Sequence, residues 1–199
     1  MKFRIFLWVS AVFFSACLIY AGESLLQQRT LAQKTIRLHV VANSDSEEDQ
    51  KNKLAVRDTV LRQVELLTRD CESAEQARET ISENLRRIAD AAAEVCNYDV
   101  KVSLQKESFE TRHYDSFTLP AGEYPSLRIR IGRAQGKNWW CVVFPSLCTP
   151  ATWEGVEEAA LTGGFSREET ELILGGEGEY RLRFKTLEWL RELKNWISE

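Results

Sequence analysis

Ile36, Leu38 and Val40 alternate with Arg37 and His39, and the two-residue period returns at Tyr98, Val100, Val102 and Leu104 and again at Leu127, Ile129 and Ile131. Successive side chains of a strand point to opposite faces, so each run predicts a strand with one buried face. Trp139 to Phe144 is an unbroken apolar run, short for a helix and rich in aromatic and β-branched residues; it predicts a strand buried on both faces, ended by Pro145. Between the first and second strands the spacing changes to steps of three and four. Val56, Val60, Val64 and Leu67, flanked by Leu54 and Leu61, mark one helix, and Ala77, Ile81, Leu85, Ile88, Ala92 and Val95 mark a second that spans residues 74–95. A short loop from Asp70 to Ser73 joins them, which predicts an antiparallel helical hairpin. Phe109 to Phe117 reads as a further, less regular strand before the Pro120-Ala121-Gly122 turn. The class is α+β, with the hairpin packed on a mixed or antiparallel sheet of about five strands.

The ends of the chain have other patterns. Residues 1–22 carry Lys2 and Arg4 and then an uncharged apolar run from Ile5 to Gly22, which predicts a secretory signal or a membrane anchor. Ile19 and Ala21 offer a small-residue cleavage site, and the choice between signal and anchor stays open. Residues 23–35 are polar and read as a linker, 36–148 as the α+β domain, and 149–179 as an acidic, glycine-rich excursion outside the main core. That excursion has room for short helices around Val156 to Leu161 and Ser166 to Leu174. Within 180–199, Tyr180, Leu182 and Phe184 predict a strand, and Leu187, Leu190, Leu193, Trp196 and Ile197 line one face of an amphipathic C-terminal helix.

Asn43 to Asp49 is rich in oxygen ligands, but a calcium loop counted from Asn43 or from Asp45 lacks both the glycine at its sixth position and the glutamate at its twelfth. A helix start fits instead, with Ser44 and Glu47 at capping-box spacing, a spacing that Ser73 and Gln76 repeat. Cys71, Cys96, Cys141 and Cys148 allow three disulfide connectivities in an exported protein. A continuous helix over 74–95 would hold Cys71 and Cys96 on the order of 30 Å apart, which removes one of them. Cys141 and Cys148 flank a turn and form a local candidate pair, with buried free thiols as the alternative.

Composition narrows the function. With 26 basic and 30 acidic residues the net charge is −4, so the chain lacks the basic stripe that nucleic acid requires. No metal, nucleotide or cofactor fingerprint is present. His39 and His113 are the only histidines. A thiol site of His113 with Cys141, or a serine triad of Ser116, Asp115 and His113, can be written down for a hydrolase, but neither has a local signature and an apolar run disfavours the Cys141 thiolate. The residues that point to protein recognition are Trp139 and Trp140, on opposite faces of one strand, Glu123 and Tyr124 just past the turn at Pro120, and Arg57 with Asp58 at the rim of the first helix.

Two blocks of this sequence, RLHVVANSDSEEDQKNKLAVRD from Arg37 to Asp58 and PAGEY through NWWCVVFPSLC from Pro120 to Cys148, resemble the stage II sporulation protein R family of endospore-forming bacteria. They occur in that family's order behind an apolar N-terminus, while beyond Thr149 the similarity is confined to the last helix. The resemblance implies a non-enzymatic signalling protein made in the forespore and exported into the space between the two septal membranes. There such proteins trigger a membrane-embedded aspartic protease of the mother cell, which processes a sigma-factor precursor.

Overall fold

A computed structural model describes residues 2–149 and 152–175; the strand and helix expected within 180–199 lie outside the described residues. Helix α1 (Lys2–Gln33) leads into strand β1 (Ile36–Val41), followed by helices α2 (Glu47–Thr68), α3 (Ala74–Glu83) and α4 (Leu85–Glu94). Strands β2 (Val100–Phe109), β3 (Arg112–His113), β4 (Thr118–Leu119), β5 (Gly122–Ile131) and β6 (Asn138–Phe144) come next, then helices α5 (Trp153–Thr162) and α6 (Arg167–Leu174). The main sheet has the order β2-β5-β1-β6, with β1 parallel to β5 and the other neighbours antiparallel. The architecture is therefore α+β with a mixed sheet. Four strands make it rather than about five, because Phe109 closes β2 and the next residues form a separate two-stranded ribbon, β3-β4.

Alternation along the strands divides the core into two layers. Leu38, Val40, Leu127, Ile129, Ile131, Cys141 and Val143 share one cluster with Val56, Val60, Val64, Ile81 and Ile88 of the helices. The helical stripe breaks once: α3 ends at Asn84, whose backbone N–H donates to the Ile81 carbonyl at 3.1 Å while its side-chain amide donates to the Thr80 carbonyl. Asparagine competes for backbone groups in this way, and a new helix restarts at Leu85 with its apolar face aligned. Ser73 caps α3 as its spacing predicts, with the Gln76 side chain accepting from the Glu72 N–H. The cap of α2 is displaced from the expected pair, since Ser46 rather than Ser44 receives the Asp49 N–H.

The second face of the sheet is covered from two directions that hydropathy does not announce. Residues 23–33 continue α1 instead of forming a linker, and Ser24, Gln28, Leu31 and Ala32 are buried. The Gln28 amide donates to the Ala121 carbonyl. The excursion after Thr149 is likewise part of the folded body: Val156, Ala160, Phe165, Leu172 and Ile173 form a second core with Leu31, Phe117, Leu119, Val142 and Leu147. Ser166 and Glu169 close a reciprocal capping box at the start of α6. If α1 is a structural helix, Leu31→Ala should cost about 2–3 kcal/mol, whereas Leu26→Ala, at a position 64% exposed, should cost under about 0.5 kcal/mol. Urea unfolding of the two variants measures this, and equal losses would return the segment to the status of a linker.

Candidate partner-binding site

β6 is an edge strand of the sheet, and the run read as buried on both faces is buried only from Cys141 to Phe144. Its first half opens into a cleft of about 390 Å³ between α2 and the loop of the β3-β4 ribbon. Arg57, Asp58, Trp139 and Trp140, far apart in sequence, all line that cleft. Trp139 lies on the α2 side, 37% exposed, with the Arg57 guanidinium 4.4 Å from its ring centroid and Arg57 itself paired to Asp58 at 2.7 Å. Trp140 lies on the other face, stacked on His39 with centroids 5.6 Å apart and topped by Arg112 at 3.7 Å. The tryptophans thus take opposite faces, as strand geometry requires, yet neither is fully buried.

The other expected contact pair does not join them. Tyr124 is fully buried and its hydroxyl donates to the Pro120 carbonyl at 2.6 Å. Glu123 is exposed, but it sits in β5, opposite Ser108 of β2, and lines a separate groove along α1. The misreading has a simple cause: the strand starts at Gly122 rather than near Ser126, so Tyr124 faces the core below α1 instead of a strand edge.

Behind the cleft lies a residue the pattern of strand alternation did not single out. Arg37 is completely buried, with its guanidinium 4.4 Å from the Phe109 centroid and 5.1 Å from that of Tyr124. Nη2 donates to the Tyr114 hydroxyl at 2.8 Å and Nε to the Cys141 carbonyl at 3.3 Å, while Nη1 has no partner among the described residues. Three aromatic rings rather than a carboxylate thus hold this cation. Burial pushes the Tyr114 phenol up and the neighbouring Arg37 and Arg112 charges pull it back, so it remains protonated at neutral pH. Next to it, His39 bridges Glu107 at 3.2 Å and Asn138 at 2.9 Å, and Glu107 continues to Arg128 at 2.9 Å.

The sulfur of Cys141 is joined to that of Cys148, the Cα atoms 6.2 Å apart. His113 shares a hydrogen bond with Thr118 across the ribbon, at 3.1 Å. Among the described residues no His, Cys, Asp and Glu side chains cluster so as to hold a metal ion.

A second arrangement fixes β6 in place. The β1–α2 loop and the β5–β6 turn are laced together: Arg133 N–H donates to Asn43 Oδ1 at 3.0 Å, Lys137 N–H to Asp45 Oδ1 at 2.7 Å, and Gly136 N–H to the Ala42 carbonyl at 2.9 Å. Asn43 is oriented by Asp49, which accepts from its amide at 2.8 Å and from the Ser44 hydroxyl at 2.5 Å. Asp45 and Asp49, the latter in the first turn of α2, anchor this lacing. The Ser44 and Asn43 bonds hold the Asp49 carboxyl below the ordinary carboxylate value. A depressed folded-state pKa adds stability above the unfolded value, about 3.9, and that contribution is lost as pH falls through the folded value. The stability gap between the native chain and Asp49→Asn should therefore narrow on acidification from pH 6 to pH 3, followed by urea unfolding. A constant gap would show that the charge is not what the clamp uses.

These two laced segments are the sequence blocks from Arg37 to Asp58 and from Pro120 to Cys148, and β1 lies directly between β5 and β6. The family model described as "Stage II sporulation protein R (spore_II_R)" matches residues 32–153. The chain belongs to that family. A curated member, "Stage II sporulation protein R" of Bacillus subtilis (strain 168), is 38% identical over 133 residues, which cover 64% of this chain and 59% of the relative. No solved structure matches the chain. Membership supports a sporulation-related role, and the family region runs from the last turn of α1 to the start of α5. Cleft, clamp and Arg37 all fall inside it; α6 falls outside.

Proposed function

We propose that this chain is an exported signalling protein of endospore formation that activates a membrane-embedded aspartic protease, which then processes the mother-cell sigma-factor precursor. The apolar first half of α1 carries or anchors the domain beyond the forespore membrane, in the space shared with the mother cell. The observation that carries the reading is the cleft at β6, where two partly exposed tryptophans and the Arg57–Asp58 pair converge. Aromatic and arginine side chains in a recess are the usual anchors of a protein interface. Activation then follows if this surface binds the protease's active state more tightly than its inactive one, because a ligand shifts an equilibrium only by its differential affinity.

Co-production of the chain, the protease and the sigma precursor in a non-sporulating host tests this. Precursor cleavage is expected only when the chain is present, and Trp139→Ala combined with Arg57→Ala should lower it about 10-fold or more, as loss of a hot spot does. His113→Ala should leave it unchanged, since a hydrolase using His113 is the competing class and this variant spares the Cys141–Cys148 bond. An uncut precursor in the presence of correctly exported chain would refute the reading.

A further inference from the structure

Helix α1 passes from the apolar end of the chain into the folded domain without interruption. It runs from Lys2 to Gln33, and Ser15, Ser24 and Thr30 each donate a hydroxyl to the carbonyl one turn back, at 2.9, 3.0 and 2.9 Å. Its second half is locked to the body: Ser24, Gln28, Leu31 and Ala32 are buried, and Lys34, just past the helix, pairs with Glu169 of α6 at 2.7 Å. Only Lys34 and Thr35 separate α1 from β1, and the Thr35 hydroxyl donates back to the Leu31 carbonyl at 2.6 Å. The docked half is thus held at both ends.

The first half has the marks of a bilayer span. The uncharged run from Ile5 to Gly22 gives about 27 Å of helix, close to the hydrocarbon thickness of a membrane. Trp8 and Tyr20 lie toward its two ends, both exposed, where interfacial aromatic residues sit. Lys2 and Arg4 precede it, as the positive-inside rule requires of a segment whose domain is exported. The small-residue site at Ile19 and Ala21 lies inside the same helix, rather than in the exposed, irregular segment that proteases favour. Glu23 alone separates the run from buried Ser24.

Contacts along the sheet set the direction. Gln28 reaches Ala121, Ala32 packs with Tyr124, and Arg37 pairs with Ser126, so α1 and then β1 advance along β5 in its own sense. The bilayer end of α1 therefore lies beyond Gly122, at the start of β5. The cleft lies toward the other end. Trp139 pairs with Val40 and Val40 with Ile129, which places Trp139 about 23 Å along the strand from Gly122. With the helix between Gly22 and Gln28 included, Trp139 stands up to about 30 Å from the membrane face.

We propose that α1 is retained as a membrane anchor and acts as a rigid strut, which holds the domain in one orientation with the cleft turned away from the bilayer it spans. This rests on the reading above and specifies where the partner is met: well outside the anchoring membrane, by a protein that reaches in from the facing one. A flexible tether would let the cleft sweep every height and would have to be ordered on binding, whereas a strut is ordered beforehand.

Energy transfer to a labelled membrane reads the orientation. The full chain with Cys17→Ser, Cys71→Ser and Cys96→Ser carries one donor dye, at Glu123→Cys or at Gln135→Cys, both exposed positions. Glu123 lies beside α1 and Gln135 in the β5–β6 turn. Each protein is reconstituted in vesicles of phosphatidylethanolamine and phosphatidylglycerol that bear an acceptor on the headgroups, and near-ultraviolet circular dichroism matching the native chain establishes that it is folded. Transfer from Glu123→Cys should exceed that from Gln135→Cys at least about 2-fold, and a flexible glycine-serine insertion of about 12 residues after Gly22 should erase the difference. Equal transfer without the insertion overturns the strut. So does a difference that survives the insertion, which would assign the orientation to the domain's own surface. Recovery of the exported chain as a soluble protein beginning near Gly22 overturns the retained anchor, while precursor cleavage by that soluble chain leaves the signalling role standing. An uncut precursor with the two probes still distinguished refutes the signalling role and supports the strut.

Discussion

Arg37→Ala is expected to lower the unfolding free energy by about 4 kcal/mol, near the top of the range for one buried side chain. The guanidinium fills the space between Phe109, Tyr114 and Tyr124 and is itself fully buried, so truncation leaves a cavity walled by three rings. It also strips the Tyr114 hydroxyl and the Cys141 carbonyl of a donor. Arg37→Met separates volume from charge. No carboxylate among the described residues compensates the cation, and one of its nitrogens is unbonded. An apolar side chain of similar length should then cost only about 1–2 kcal/mol, because the desolvation penalty of the charge goes with it. Urea unfolding of both variants measures the difference. A loss under about 1 kcal/mol for the alanine variant would mean that the rings close over the gap unaided.

The elements that periodicity predicted are those whose burial is apolar. Val56, Val60 and Val64 repeat at helical spacing, Leu127, Ile129 and Ile131 at strand spacing, and each set faces the shared core. The helix in residues 23–33 escaped for the opposite reason. Its buried stripe is Ser24, Gln28, Leu31 and Ala32, which has helical spacing but is half polar, and its burial is tolerated because Gln28 reaches the Ala121 carbonyl nearly a hundred residues away. No local pattern contains that partner. The same holds for Asn43 and Asp45, whose oxygens accept from backbone amides of the β5–β6 turn. The excursion after Thr149 was read as detached because glycines and glutamates dominate it, yet Val156, Ala160, Leu172 and Ile173 suffice to cover Val142 and Leu147. Of the expected contact residues, Trp139, Trp140, Arg57 and Asp58 meet in one cleft because α2 lays Arg57 on the Trp139 ring of β6. Tyr124 does not, since a tyrosine with its hydroxyl satisfied inside the fold has the same sequence signature as one displayed on an edge.

Gly136→Ala should be the most damaging change in the clamp, costing about 3–4 kcal/mol and, on the proposed function, abolishing precursor cleavage in the co-production test. A methyl group there would collide with the Ser44 carbonyl oxygen and lie 2.9 Å from Ala42 Cβ. Ser44 is held by its own bond to Asp49, and Ala42 adjoins the end of β1, so neither yields by a side-chain rotation. The turn must move instead. That movement stretches the Gly136 N–H bond to Ala42 and the neighbouring Lys137 N–H bond to Asp45. Asn138, the first residue of β6, follows immediately, so a displaced turn drags Trp139 out of line with Arg57. Gly22→Ala is the matched control: nothing lies within 4 Å of the added methyl, and alanine in a helix is worth up to about 1 kcal/mol over glycine. Asp45→Ala removes one backbone bond without a collision and should cost about 1 kcal/mol. The order of the three variants in urea unfolding decides whether close packing or hydrogen bonding holds the two sequence blocks together. If Asp45→Ala proved as harmful as Gly136→Ala, bonding would dominate and the close approach of the chains at Gly136 would be incidental.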